Sequence, residues 1–459
     1  MFSKDIYVGR RDRLRRMVGS GILLFLGNEE TGMNYEDNTY PFRQDSTFLY
    51  FFGLPYAGLN ALIDLDEGKE VIFGDELGID HIVWMGNQPT LKEKSEKVGV
   101  ERTEPSRNIL AYLQKAVSQG RKIHFLPPYR AEHKLKLVEW TGVPPAEQPD
   151  AASVEFIRAV VNMRSCKSAE EIVEIEKACD ITAEMHITAI SVARPGMKEY
   201  EVAAALEAVA SSRGGSLSFP TIATINGQTL HNHYHGNTIG EGDLMLIDAG
   251  AETAMGYAGD MSSTLPVSKR FSAQQRDVYD IQVASHLAAV EALRPGVPFS
   301  EVYDVSASVI FDGLKSLGIT KGNTQDAVEA GAHAMFFPCG LGHMMGLDVH
   351  DMENLGEVWV GYDGQPKSTQ FGRKSLRLGR KLEAGFVLTI EPGVYFIPEL
   401  IDLWKGQNKF ADFICYEKLE LFRHFGGIRN EEDFLITEAG ARRLGKKIPL
   451  TADEVEALR

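Results

Sequence analysis

The sequence predicts a mixed α/β (α+β) chain of two domains, residues 1–155 and 156–459. Three observations point there. Short apolar runs of strand length alternate with stretches of helical period. The Pro- and Ala-rich segment GVPPAEQPDAAS at 142–153, after Pro127 and Pro128, punctuates the approach to a boundary. Two similar turns, ARPGMKEYE at 193–201 and LRPGVPFSE at 293–301, each lead into a helix, as two related α/β halves closing on a cleft would require. A length of 459 residues with 44% hydrophobic content suits a globular chain able to bury a large core.

Taken in order, RRDRLRRMVGSGILLFLG at 10–27 reads as a basic amphipathic helix with Leu14 and Met17 inward, then a strand at 22–26. Its apolar run is too short for a secretory signal and no small-residue cleavage site follows. Further strands are expected near 47–52, 60–65 and 70–73, and helices near 88–97 and 107–118. Val154 to Val161 begins a helical connection. The next helix carries a capping signature, Ser168 followed by Glu171, ahead of an apolar repeat at Ile172, Ile175, Ala178 and Ile181. Beyond it, LMLIDAGAE and VLTIEPGVYF are apolar runs that end on Asp248 and Glu391 and then turn at Gly250 and at Pro392-Gly393. FGGIRNEEDFLIT sets Arg429, Glu431 and Asp433 on one face of a third strand at period two.

Buried strands tolerate charged side chains only when these are paired or bind a cation. Asp248, Asp260 in GYAGD, His343 in GLGHMMGLDVH, Glu391 and Glu431 therefore form a candidate ligand set of four carboxylates and one imidazole. Oxygen-rich sets of this kind suit two hard or borderline divalent ions, manganese first, with cobalt, zinc or magnesium as alternatives. A metal pair lowers the pKa of a bound water toward neutrality and polarises a carbonyl, so the set implies a hydrolase. Peptide hydrolysis at such a set would use His350 to donate to an oxyanion, His233 to orient substrate, and Glu391 as both ligand and proton shuttle.

From about Arg158 onward these frames, with MRSCKSAEEI, HNHYHGN and HMMGLDVHDMENLGE, resemble the proline-specific metallopeptidases of the creatinase or pita-bread fold, the group of prolidase and aminopeptidase P. PFRQDSTFLYFFGLP resembles the aminopeptidase P type of N-terminal domain. The resemblance implies an N-terminal creatinase-like α/β domain and a C-terminal pita-bread domain. It implies that Asp248 chelates one metal, that Asp260 and Glu431 bridge, that His343 and Glu391 complete the other, that His233 and His350 face substrate, and that Arg429 supports the ligands. The implied substrate is a small peptide with proline in second position, and the implied assembly a homodimer or larger homo-oligomer.

SLRLGRKLEAG, and the long connection from Tyr395 to Phe425, are similar to prolidase, in which an arginine, here Arg377, holds the carboxylate of a dipeptide's proline. That favours Xaa-Pro dipeptidase over the alternative, aminopeptidase P acting on longer peptides. A non-catalytic binding module is remote, since such proteins lose ligands and all five are present. The chain departs from the family pattern in its spacing of twelve between Asp248 and Asp260, in Ser263 where aminopeptidase P carries arginine, and in Cys339, four before His343, where the family has histidine. A thiol there carries no positive charge and donates weakly, which would retune contacts to substrate. A net charge of −16 argues against nucleic acid or an anionic membrane as partner. Cys166, Cys179, Cys339 and Cys415 form no CxxC pair, so a reducing, cytoplasmic setting is expected, and no apolar run reaches transmembrane length.

Overall fold

The computed structural model describes residues 1–459. It divides into two compact units, one of Met1–Arg164 with Met352–Trp359, the other of Ser165–Asp351 with Val360–Arg459. The helix Val154–Ser165 thus falls almost wholly in the first unit, whereas the sequence places a boundary at 155. Its Phe156 packs edge-on against Phe25 with ring centroids 5.2 Å apart, which ties the helix to the first unit's core. No helix is long and apolar enough to cross a membrane, and no disulfide joins the cysteines.

In the first unit, Ile22–Leu26, Asn60–Asp64 and Lys69–Phe73 form an antiparallel core of a five-stranded sheet, flanked by parallel edges Ile123–His124 and Arg102–Glu104. The expected strand near 47–52 is instead the helix Ser46–Phe52. Asp45 caps its N-terminus by accepting the Phe48 N–H, and Gly53 closes it in the left-handed region at φ 63°. Its aromatic side chains join Phe25 in the core. The basic N-terminal helix, Lys4–Met17, buries Leu14 but leaves Met17 half-exposed. Arg10 and Arg11 go inward instead, donating to the carbonyls of Tyr50, Phe51 and Val98, where desolvation of each guanidinium is offset by its bonds.

The second unit is built twice. Helices Ala169–Val192 and Glu199–Ser212 pack as one pair, Ala273–Ala292 and Phe299–Ser316 as another. The ARPG and LRPG turns join each pair with the same wiring: Gly196 N–H donates to Ile239 O and Ile239 N–H to Met197 O, while Gly296 N–H donates to Leu382 O and Leu382 N–H to Val297 O. Each return leg then feeds an antiparallel strand, Leu244–Ala249 between Ile222–Thr224 and Met261–Pro266, or Val387–Ile390 beside Glu432–Thr437, which pairs on its other side with Gly440–Arg443. The capping box at Ser168 and Glu171 opens the first long helix as expected, and Ile175 and Ala178 are buried while Ile172 and Ile181 are half-buried.

Candidate metal centre and substrate cavity

Asp248 sits inside the strand Leu244–Ala249, opposite Ser262 in register, so both side chains leave the sheet on one face. Asp260 directly precedes the partner strand. His343 is placed by a ladder onto Val387–Ile390: Glu391 N–H donates to Leu341 O, Thr389 N–H to His343 O and Met345 N–H to Val387 O. The chains meet so closely at Gly342 that a Cβ would stand 2.0 Å from Thr389 O. Arg429 and Glu431 do not share one strand. Gly427–Arg429 pairs with Gly393–Tyr395, Glu432–Thr437 pairs with Val387–Ile390, and Glu431 bridges to Ser262 between them. Asp433 points away from the cavity, accepting from the Asp260 N–H and the Cys179 thiol, each at 3.1 Å.

One cavity of about 580 Å³ gathers every residue singled out above as a ligand or substrate contact: His233, Asp248, Asp260, Cys339, His343, His350, Arg377, Glu391, Arg429 and Glu431. That volume suits a small-molecule substrate. Phe219, Pro220, Ile222, Leu230 and Phe371 give it apolar walls, and His231 joins His233 on the same loop. Ligand atoms of Asp260, His343 and Glu431 lie within 4.8 Å of one another. His343 Nε2 is 3.3 Å from Asp260 Oδ2 and 3.7 Å from Glu391 Oε1. Its Nδ1 lies 3.1 Å from Met344 O, which fixes the tautomer with the Nε2 lone pair turned toward the carboxylates.

The electrostatics ask for a cation. Asp260 Oδ1 and Glu431 Oε1 are buried with no hydrogen-bond partner in the protein. Burial, then the charge of Asp248, pushes the Asp260 carboxyl up to about 8, and burial followed by Asp260 and Glu391 raises Glu431 well above the usual range. Orphaned oxygens, mutual repulsion and an imidazole lone pair facing them fit a divalent cation. Asp248 is the exception in being already paired, its Oδ2 accepting from Arg429 Nη2. Arg429 is held in turn by Ser262 Oγ at 2.9 Å and Tyr395 Oη at 2.8 Å, and Ser262 donates to Glu431 Oε2 at 2.8 Å. Sequence reasoning missed Ser262 and Tyr395. The first could have been found, because period two from Asp260 puts Ser262 on the same face. Ser263 points the other way, to His186 Nδ1 at 2.9 Å. Burial and then Glu391 push the Cys339 thiol up to about 12, so it stays neutral.

This fold and this cavity define a metallopeptidase. Residues 173–438 match metallopeptidase family M24 and residues 7–124 match the aminopeptidase P N-terminal domain, and the chain belongs to family M24. It therefore consists of an aminopeptidase P-type N-terminal domain followed by a pita-bread metallopeptidase domain. Over 97% of its length it is 31% identical to the Xaa-Pro dipeptidase of Homo sapiens, covering 90% of that protein. Over 99% of its length it is 33% identical to the Xaa-Pro aminopeptidase of Escherichia coli, covering 98% of that one. The solved structure of zinc-substituted Escherichia coli aminopeptidase P in complex with product superposes with a TM-score of 0.81 at 30% identity, covering 100% of this chain and 98% of that one.

Proposed function

We propose that this metallopeptidase is a proline-specific exopeptidase that hydrolyses the Xaa-Pro bond of dipeptides. Asp248, Asp260, His343, Glu391 and Glu431 would hold two divalent cations, which would lie nearest the cluster of Asp260, His343 and Glu431. Four carboxylates and one imidazole suit manganese, with cobalt, zinc or magnesium as alternatives. Bound there, the cations lower the pKa of water and polarise the scissile carbonyl. Glu391 takes the proton of the attacking water and passes it to the departing proline nitrogen. His350, whose ring centroid is 4.2 Å from that of His343, donates a hydrogen bond to the oxyanion. His233 orients the substrate, and Arg429 steadies the carboxylates through Asp248.

The relatives include both a dipeptidase and an aminopeptidase at nearly equal identity, 31% and 33%, so the choice of substrate rests on one observation. Arg377 lines the same cavity as the ligand cluster. Its planar fork suits a carboxylate, and in a Xaa-Pro dipeptide the proline carboxylate is the group one residue from the scissile bond. Arg377→Ala should lower kcat/KM on Gly-Pro by about ten- to a hundredfold, the equivalent of ~1.5–3 kcal/mol for a hydrogen bond to a charged group. Gly-Pro-Ala should suffer less. A wild-type preference for the tripeptide, with a dipeptide-to-tripeptide ratio indifferent to Arg377, would favour Xaa-Pro aminopeptidase instead.

A further inference from the structure

Behind the carboxylates lie two enclosed amides that the chemistry above does not use. Gln282, on the helix Ala273–Ala292, is 0% exposed, and Asn430, between the strands Gly427–Arg429 and Glu432–Thr437, is 1% exposed. Gln282 Nε2 donates to Pro392 O at 2.6 Å and lies 3.3 Å from Asn430 O. Asn430 Nδ2 returns a bond to Gln282 Oε1 at 2.5 Å, and Asn430 Oδ1 accepts the Thr264 N–H at 3.0 Å. These neighbours also fix which end of each amide is nitrogen, since two carbonyl oxygens can face only the Gln282 donor.

Buried amides destabilise a core unless every polar atom is bonded, and an apolar pair of the same volume would fill this space without that risk. What an apolar pair cannot do is hold backbone. Pro392 follows Glu391 and Asn430 precedes Glu431, so one glutamine grips the carbonyls beside two carboxylates that arrive on separate strands. Asn430 carries the same connection on to Thr264, in the strand that begins next to Asp260. We propose that Gln282 and Asn430 are positioning residues that set the separation of the Glu391 and Glu431 carboxylates and thereby the affinity for the cations. The inference rests on the reading of Glu391 and Glu431 as ligands.

The test uses full-length, metal-depleted protein titrated with Mn²⁺ by calorimetry, with kcat and KM on Gly-Pro at saturating Mn²⁺. Gln282→Met should weaken Mn²⁺ binding and lower kcat by about tenfold or more, the usual effect of losing a partner of a metal ligand, while KM changes little. Asn430→Leu should do the same, and the double variant should be no worse than the poorer single one, because the two amides act as a unit. Gln282→Asn keeps the amide but is too short for Pro392 O. It should show a smaller loss of the same kind, and it carries the test if Gln282→Met does not fold. Variants with a lowered melting temperature but wild-type Mn²⁺ affinity and kcat would overturn the inference and leave the amides purely structural. A wild-type protein that takes up no Mn²⁺ would instead overturn the ligand assignment on which it rests.

Discussion

Asp260 is under strain that a cation would relieve. Its carboxyl is pushed up to about 8 by burial and by Asp248, and one of its oxygens has no partner in the protein. Asp260→Asn removes a proposed ligand together with a carboxyl whose ionised form burial and Asp248 penalise, so the two effects should separate in experiment. On the proposed assignment, peptidase activity with Mn²⁺ should fall by about a thousandfold or more. The melting temperature of the metal-depleted variant, measured in chelator, should equal or exceed that of the metal-depleted wild type. A variant that keeps near-normal activity would sink the ligand assignment. At this scale the sequence is most legible where a residue sits in its own frame, as Asp248, His343 and Glu391 do. Tyr395, Gln282 and Asn430 act through contacts such as Arg429 to Tyr395, 34 positions apart, or Asn430 to Gln282, 148 apart, which no local pattern announces.

Among the elements, the ladder from Leu341 to Met345 onto Val387–Ile390 decides where His343 lies. Gly342→Ala would set a methyl 2.0 Å from Thr389 O, so the two chains must part at the residue next to the ligand. The expected result is a loss of about 2 kcal/mol or more in urea unfolding, together with weaker Mn²⁺ binding. Wild-type metal affinity in a folded Gly342→Ala protein would show that the ladder does not set the ligand. Element identity was harder to read than element existence. Ser46–Phe52 looks like a strand because Thr, Tyr and Phe favour pleated surfaces, but enclosure on all sides removes the periodicity that separates strand from helix. Only the cap at Asp45 and the turn at Gly53 tell them apart. Period two through Arg429, Glu431 and Asp433 also misleads, since the chain changes sheet at Asn430 and Glu431, so Asp433 ends up outside the cavity.

For the whole molecule, the response to pH should depend on the cation. His124, His133, His186 and His333 are all held below the ordinary histidine range, chiefly by burial, His333 at about 3. The folded protein keeps them neutral while the unfolded chain takes up protons below about 6.5, so their contribution is complete above that pH and is lost as pH falls toward the folded values. The raised carboxylates work the other way. Asp260, at about 8, stays protonated in the metal-depleted fold while the unfolded chain ionises above about 4, so its share of stability declines as pH rises from about 4 to 8. With saturating Mn²⁺, urea midpoints should therefore fall steadily toward acid. In chelator the two trends oppose and the profile should be flatter. Identical slopes with and without Mn²⁺ would refute this account. The two-domain plan and the paired RPG turns were readable because glycine and proline mark turns locally. The repeated wiring behind those turns, Gly196 to Ile239 and Gly296 to Leu382, was not, since it needs the returning chain.

That doubling bears on how the chain matures as it is made. Asp248 lies in a strand, and Asp260 just before another, after the first helix pair, whereas His343, Glu391 and Glu431 follow the second. A polypeptide emerging from the ribosome therefore presents two aspartates long before it has the residues that would complete the proposed set. On the proposed assignment the complete set exists only once the chain has been made past Glu431 and has folded back beside the strands of the first half.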